Sequence, residues 1–417
     1  MIAHNIILLS LAGVFGLFMT WSVGSNDLAN IMSTTMGSKA ISVRQAIIVA
    51  VIFEFAGALL GGSGVAKTVQ FGLLNTQALN YPPQIFIYGM LAVLLASATW
   101  MTLASYLGMP VSITNAIIGA LVGFGLLILG VHSLHWKQVG YIAISWIASP
   151  TMAGLFAYLL FLTVQQLILS AGNPIKKAKQ YVPLYLFLVG FVLSKITVIK
   201  SCAHFGIILD MRHSFIIAVI SGFVILLIGQ WLIRRIPKVD INDMHAQFNY
   251  VEKMFSVLML FTACAMVYAH GSNDIAVSMG PIGAIISLIK SGHTMYNGKM
   301  VLITLALGSL AVVVGFLTYG RKIIKTVGSG ITALTPSRAY CATIAAATAV
   351  VVSTSTGIPV SATQTLVGAI LGVGLARGIG ALDLRVVRNI FASWIITIPI
   401  VAGLTTVFFY IIHAIFA

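Results

Sequence analysis

The chain contains an internal repeat, and a repeat constrains the fold more than any single motif does. The motif GSNDLA at 24–29 returns 247 positions later as GSNDIA at 271–276. The motif PVSITN at 110–115 returns 249 positions later as PVSATQ at 359–364. Because two motifs recur in the same order and at almost the same separation, we expect the chain to consist of two homologous halves.

A third match sets the limits of these halves. The tripeptide Ser-Trp-Ile at 145–147 returns 248 positions later at 393–395. The predicted organisation is therefore a first inverted repeat at 1–170, a central linker with two transmembrane helices at 171–253, and a second inverted repeat at 254–417.

Both halves have the composition of a membrane protein. Of the 417 residues, 59% are hydrophobic and 7% are charged, whereas a soluble domain carries about 25% charged residues. Apolar runs such as 215–233 and 391–417 reach the length of about 20 residues that a helical span needs. The alternating pattern of a membrane β-barrel does not occur in the sequence. The sequence predicts an all-α polytopic membrane protein with about 12 membrane segments.

The basic residues predict the orientation of these segments. The formal net charge is +15, but the basic residues lie in short connectors, which favours cytoplasmic loops over nucleic acid as a partner. If the loops at 176–179 and 234–238 are cytoplasmic, both termini are extracytoplasmic. Each half then has five spans, and an odd number predicts inverted repeats. The segments that begin at Pro110 and Pro359 can be crossings or re-entrant hairpins, and neither choice alters this parity.

Inverted repeats are typical of secondary transporters, whose substrate and coupling-ion sites lie near the membrane midplane at the repeat interface. The sequence therefore favours a carrier in the plasma membrane over an enzyme. No cofactor is expected, because the three cysteines lack the spacing of a disulfide framework or a zinc site. They are Cys202, Cys264 and Cys341.

Of the eight acidic residues, Asp27, Glu54 and Asp274 lie inside apolar segments. A carboxylate at the bilayer centre costs about 2.5 to 3.5 kcal/mol, so each is expected to be protonated, paired or bound to a cation. No Lys or Arg lies within a turn of either GSND motif, which favours a bound cation or a transferable proton. The neutral oxygens predicted to assist are those of Asn26, Asn30 and Asn273.

The GSND motif also has a purely structural interpretation, in which its polar side chains cap a kinked helix. Such a break would expose backbone carbonyls to a cation, so capping and ion binding are compatible. Val277 stands where Asn30 would repeat, so we expect the two ion sites to be unequal.

The second repeated motif places a Ser, a Thr and an amide at fixed distances after a Pro. A helix that begins at the Pro directs free N–H groups and its positive end toward whatever lies in front. Together with hydroxyl and amide groups, these N–H groups are the donors that hold a small oxyanion. The alternative is that the hydroxyls only join helices. The duplicated spacing favours an anion site formed by Ser112, Thr114, Asn115, Ser361, Thr363 and Gln364.

Two further features receive structural interpretations. His270 precedes the second GSND motif, and a lone His is more often a hydrogen-bonded structural residue than a proton relay. Lys-Thr-Val at 67–69 returns at 325–327, and we expect it to mark the end of a loop.

These motifs resemble those of the inorganic phosphate transporter family, which includes the type III sodium-phosphate cotransporters. The family signature G-x-N-D-x-A-N is matched by GSNDLAN at 24–30 and, less fully, by GSNDIAV at 271–277. The signature G-[IL]-P-V-S-T-T-H reads GIPVSATQ at 357–364, and RNIFASW at 388–394 extends the resemblance. The resemblance implies an inverted-repeat helical carrier that moves inorganic phosphate with Na⁺ or H⁺, and it suggests a homodimer.

The resemblance also implies roles for single residues. Asp27 and Asp274 look like the essential motif acids, which would bind Na⁺, and Glu54 resembles a glutamate that the family requires. The hydroxyl and amide residues of the second motif look like phosphate ligands. The chain departs from the family at Gln364, where the family has His, and at Ala342, where the second-half glutamate appears to fall.

Three alternatives stay open. The Gln364 departure leaves room for sulfate or another tetrahedral oxyanion. Two aspartates in separate spans are the basic equipment of an intramembrane aspartyl protease, although the usual sequence contexts of that chemistry are missing. An anion channel would conduct without saturating at low turnover.

Overall fold

The computed structural model describes residues 2–74, 82–204, 210–237, 243–291 and 298–416. Lys238, the last residue of the predicted basic loop 234–238, lies outside the described residues. Across these ranges the regular structure is helical, and the β structure consists of one isolated bridge between Leu74 and Leu134. The predicted all-α class is confirmed.

The described residues include sixteen α-helices. Those of the first half are α1 (Ile2–Val23), α2 (Ala29–Gly37), α3 (Val43–Gly61), α4 (Ser63–Lys67), α5 (Pro83–Leu107), α6 (Ile113–Phe124) and α7 (Trp136–Val164). The linker supplies α8 (Pro174–His204) and α9 (Met211–Arg234). The second half forms α10 (Met244–His270), α11 (Ala276–Ser291), α12 (Gly298–Tyr319), α13 (Arg321–Gly330), α14 (Pro336–Ser355), α15 (Ala362–Ala376) and α16 (Leu384–Phe416).

Eight helical segments of the described residues are long and apolar enough to cross a bilayer. Two further apolar helices are shorter, Ile113–Leu129 and Ala362–Ala376. These short helices begin at the motifs PVSITN (110–115) and PVSATQ (359–364), which we call the PVS motifs. For these segments the sequence allows either a crossing or a hairpin. The chain is thus a helical membrane protein, while the number of about 12 segments stays a prediction.

Each PVS motif lies in a sharp turn between two helices. Gly108 follows α5 with a φ of 73°, and Gly357 follows α14 with a φ of 76°. Only glycine adopts this left-handed conformation at no steric cost, so it ends the helix and turns the chain back. The chain then runs extended until Ser112 caps α6 and Ser361 caps α15.

Close helix contacts between the halves occur in reciprocal pairs. A Cβ atom at Gly57 would overlap the carbonyl oxygen of Tyr268, and a Cβ atom at Gly315 would overlap that of Trp21. Gly57 and Gly315 are equivalent positions of the repeat, and so are Trp21 and Tyr268. Since each half presents the same surface to the other, the contacts have the pattern of a pseudo-two-fold axis. The inversion of the halves relative to the membrane stays a prediction.

Candidate functional site

The two GSND motifs lie in buried π-helical turns. Residues Gly24–Leu28 form such a turn between α1 and α2, and Gly271–Ile275 form one between α10 and α11. No side chain caps a helix at either turn. The capping interpretation is therefore wrong, and so is the expected helix break, because the backbone stays helical and absorbs one extra residue in a π bulge.

The motif asparagines hold the PVS turns in place. Asn26 Nδ2 donates to the Met109 carbonyl at 3.1 Å, and its Oδ1 accepts from the Val111 N–H at 3.1 Å. Asn273 does the same in the other half, donating to the Val360 carbonyl at 2.6 Å and accepting from the Val360 N–H at 3.2 Å. Both asparagines were predicted as cation ligands, but here each one positions the extended segment that precedes α6 or α15.

Asp27 joins the two halves of the protein. Its Oδ2 accepts from the Ile113 N–H at 2.9 Å, in the first turn of α6. Its Oδ1 accepts from the hydroxyl of Thr363, in the first turn of α15. The carboxylate is 1% exposed. A buried carboxylate thus accepts hydrogen bonds from an N–H group and a hydroxyl that the sequence predicts to bind an anion.

Asp274 belongs to a second buried cluster. Asn273 Nδ2 donates to its Oδ1 at 2.6 Å, and His270 Nε2 lies 3.4 Å from its Oδ2. The other ring nitrogen, His270 Nδ1, lies 2.6 Å from Glu54 Oε1. All of these side chains are buried.

His270 belongs to this cluster, whereas the sequence favoured a purely structural interpretation for it. A local ion pair was thought to be absent because no Lys or Arg is near, yet His270 contacts two carboxylates at once. One of them, Asp274, is four residues along the same helix, a spacing that places side chains on one face and could have revealed the contact. The contact with Glu54 spans 216 residues and has no local signal.

The pair of His270 and Glu54 exists in one half only. The equivalent position of His270 is Val23. Gly271 approaches the backbone of Glu54, and its counterpart Gly24 approaches the backbone of Val312, so Glu54 and Val312 are also equivalent. Both members of the pair are therefore valines in the other half. The surroundings of the two GSND motifs therefore differ in their ionisable side chains as well as at Asn30.

Asn30 is buried, and neither of its amide atoms has a hydrogen-bond partner among the described residues. Its counterpart Val277 has no polar side-chain atom. A buried amide that makes no protein contact needs a water molecule or an ion to satisfy it. Asn30 therefore provides a free oxygen one helical turn from Asp27, as a cation site requires.

The Ser and Thr hydroxyls of the PVS motifs have different surroundings. Ser112 Oγ accepts from the Asn115 N–H at 3.3 Å, and Ser361 Oγ accepts from the Gln364 N–H at 3.0 Å. Each serine thus caps its helix with a lone pair and keeps its O–H proton to donate. Thr114 instead donates to the Val360 carbonyl of the other half at 2.9 Å. Both threonines therefore form bonds between the halves, as the alternative interpretation of the motif expects.

The two motif amides line an apolar cavity of about 490 Å³ between α7 and α16. Asn115 Oδ1 and Gln364 Oε1 are buried without partners among the described residues. Trp146 and Trp394, which are equivalent in the repeat, line the same cavity. Like Asn30, the two amides therefore have an oxygen that is available to a further ligand.

The chain is similar to known phosphate transporters over nearly its whole length. The model of the "Phosphate transporter family" matches residues 23–405. A protein of Haemophilus influenzae named "Putative phosphate permease" is 44% identical over 410 residues, covering 97% of each chain. The "Inorganic phosphate transporter 2-1, chloroplastic" of Arabidopsis thaliana is 34% identical over 95% of this chain and 71% of its own. A solved structure titled "The sodium-dependent phosphate transporter" superposes with a TM-score of 0.87 at 32% identity, covering 98% of this chain and 100% of its own.

Proposed function

Because the chain belongs to the phosphate transporter family, we propose that it imports inorganic phosphate across the plasma membrane in symport with Na⁺. Family membership makes the chain a membrane transporter and not an enzyme, so the aspartyl protease alternative is abandoned. Beyond family membership, we propose the coupling ion, the direction of transport and the roles of the site residues.

The observation that supports coupling is the pair of donors bound to Asp27. The Ile113 N–H and the Thr363 hydroxyl come from opposite halves and meet at this carboxylate. These are donors that phosphate would use, and phosphate and a bare carboxylate repel each other strongly at low dielectric. A cation at Asp27 would neutralise the carboxylate and release both donors. Phosphate then binds well only after the cation, which is the requirement for symport.

In this mechanism Asp27 and Asp274 bind Na⁺, with Asn30 supplying a neutral oxygen next to Asp27. The phosphate ligands are Thr363 and Thr114, the serine hydroxyls, and the two amides that line the cavity. Asn26 and Asn273 position the extended segments before α6 and α15. Glu54 contacts His270, which in turn contacts Asp274 of the second ion site. The name of the superposed structure supports Na⁺ as the ion, and a proton on Asp27 is the alternative that would release the same donors.

Transport by purified protein in liposomes tests the proposal. We expect an inward Na⁺ gradient to drive accumulation of ³²P-phosphate, and choline in place of Na⁺ to abolish it. A proton gradient without Na⁺ tests the alternative ion, and excess unlabelled sulfate tests the alternative anion. Failure of both gradients to drive accumulation would contradict coupled phosphate uptake.

A further inference from the structure

A polar cavity of about 350 Å³ lies at one end of the helix bundle. Its polar lining residues are Gln165, Ser170, Glu252, Arg338 and Arg377. Arg377 follows Gln364 by 13 residues along α15, which corresponds to about 20 Å of helix. The cavity is therefore separate from the PVS site. We call it the arginine cavity.

Two guanidinium groups converge in the arginine cavity. Arg338 Nη1 donates to the Ala333 carbonyl at 2.9 Å, and Arg377 Nη1 lies 3.5 Å from the same oxygen. Arg377 Nη1 also donates to Thr332 Oγ1 at 3.1 Å. Arg377 is exposed and Arg338 is half-buried. The two like charges repel each other, so a negative group bound between them is stabilised.

Among the described lining residues, Glu252 is the one acid, so it balances one of the two arginine charges. Its two oxygens accept from the N–H and the hydroxyl of Ser337, both at 2.8 Å. Neither arginine forms a salt bridge with a described residue. Arg338 Nε and Gln165 Oε1 are buried and have no described partner. The cavity therefore has a net positive charge and a free guanidinium donor.

The repeat shows that this cluster is confined to one end of the molecule. The positions equivalent to Glu252, Arg338 and Arg377 are Asn5, Gly89 and Leu129. Gln165 is equivalent to His413, whose ring packs against those of Tyr88 and Phe409. The equivalent region is thus filled with aromatic rings and has no guanidinium group. The two arginines are therefore a feature of one end of the molecule and do not belong to the repeated part of the fold.

We propose that the arginine cavity binds a phosphate group. Guanidinium groups match the planar pairs of oxygens on phosphate and desolvate more easily than ammonium groups, and the volume suits a small ligand. Arg377 lies on the face that the charge bias predicts to be cytoplasmic. The phosphate group can belong to the free inorganic ion or to the headgroup of an anionic lipid, and the site requires no role for it in ion coupling.

The test compares two double variants of the full-length protein that lose equal charge. Arg338→Gln/Arg377→Gln empties the cavity of guanidinium groups. Arg385→Gln/Arg388→Gln removes two exposed arginines near the same end. We measure binding of ³²P-phosphate in detergent by equilibrium dialysis. If the free ion is the ligand, we expect the first variant to lose one class of phosphate sites, because the affinity of that class for phosphate weakens at least about tenfold. The second variant should bind phosphate like the wild type.

Native mass spectrometry tests the lipid headgroup with phosphatidylglycerol, using phosphatidylcholine as the neutral control. Loss of phosphatidylglycerol adducts in the first variant alone would identify the lipid as the source. Equal phosphate binding and equal adducts in both double variants would overturn the proposal. If the first variant does not fold, the single variant Arg377→Gln replaces it, because Arg377 makes only the two longer contacts at 3.1 and 3.5 Å. Its control is Arg385→Gln.

Discussion

The hydroxyl of Thr363 donates a hydrogen bond to the carboxylate of Asp27 across 336 residues of sequence. The bond unites an acid predicted to bind the cation with a hydroxyl predicted to bind the anion. One buried contact thus connects the residues that we propose for the cation and for the anion, and in the proposed symport each ligand binds fully only when this contact changes.

Replacing Asp27 by Asn removes the negative charge and keeps a side chain that can accept from Thr363. We expect Asp27→Asn to lower Na⁺-driven phosphate uptake by about 100-fold, because a coupling free energy near the top of the usual range corresponds to about that factor. Gel filtration of the variant should match the wild type. The control is Asp383→Asn, an exposed acid. Wild-type uptake by Asp27→Asn would remove Asp27 from the mechanism.

Replacing Thr363 by Val removes a donor while preserving the side-chain shape. If Thr363 binds phosphate, we expect the KM for phosphate to rise about tenfold, the effect of one lost charge-assisted hydrogen bond. Thr363→Ser should restore the wild-type KM. The matched control is Thr365→Val, since Thr365 lies on the same helix and donates to Ser149 at 2.9 Å. An equal rise in both Val variants would indicate a general packing effect.

The pair of His270 and Glu54 should behave as a unit. Removing one partner of a buried charged pair costs about 3 to 5 kcal/mol, so His270→Val and Glu54→Val should each lower the thermal stability. The double variant copies Val23 and Val312 of the other half, and we expect it to be more stable than either single variant. Thermal unfolding in detergent measures this. Additive losses in the double variant would contradict coupling between the two residues.

The two equivalent tryptophans differ in their hydrogen bonds. Trp394 Nε1 donates to the Pro110 carbonyl at 3.1 Å, whereas Trp146 Nε1 is buried without a described partner. Trp394→Phe should therefore destabilise the protein by about 1 kcal/mol through this bond, and Trp146→Phe should lose no such bond. Thermal unfolding of the two variants side by side measures the difference. Equal losses would show that the hydrogen bond contributes nothing.

The fold class and the family were predicted correctly from composition and from contiguous motifs. Apolar length and low charge require helices in a membrane, so the all-α class followed from composition. The motifs led to the correct family because their residues are contiguous in the chain. The GSND motifs located the buried acids Asp27 and Asp274, and the position of Glu54 inside an apolar segment indicated its burial.

The partners of the buried polar groups were decided by the tertiary structure. The sequence suggested Asn26 and Asn273 as cation ligands, whereas packing places each against the backbone of a PVS turn. It did not reveal that Glu54 meets His270, or that Asp27 takes donors from both halves. A buried polar group must bond with whichever groups the fold brings within about 3 Å. That choice depends on helices hundreds of residues apart, for which local spacing contains no information.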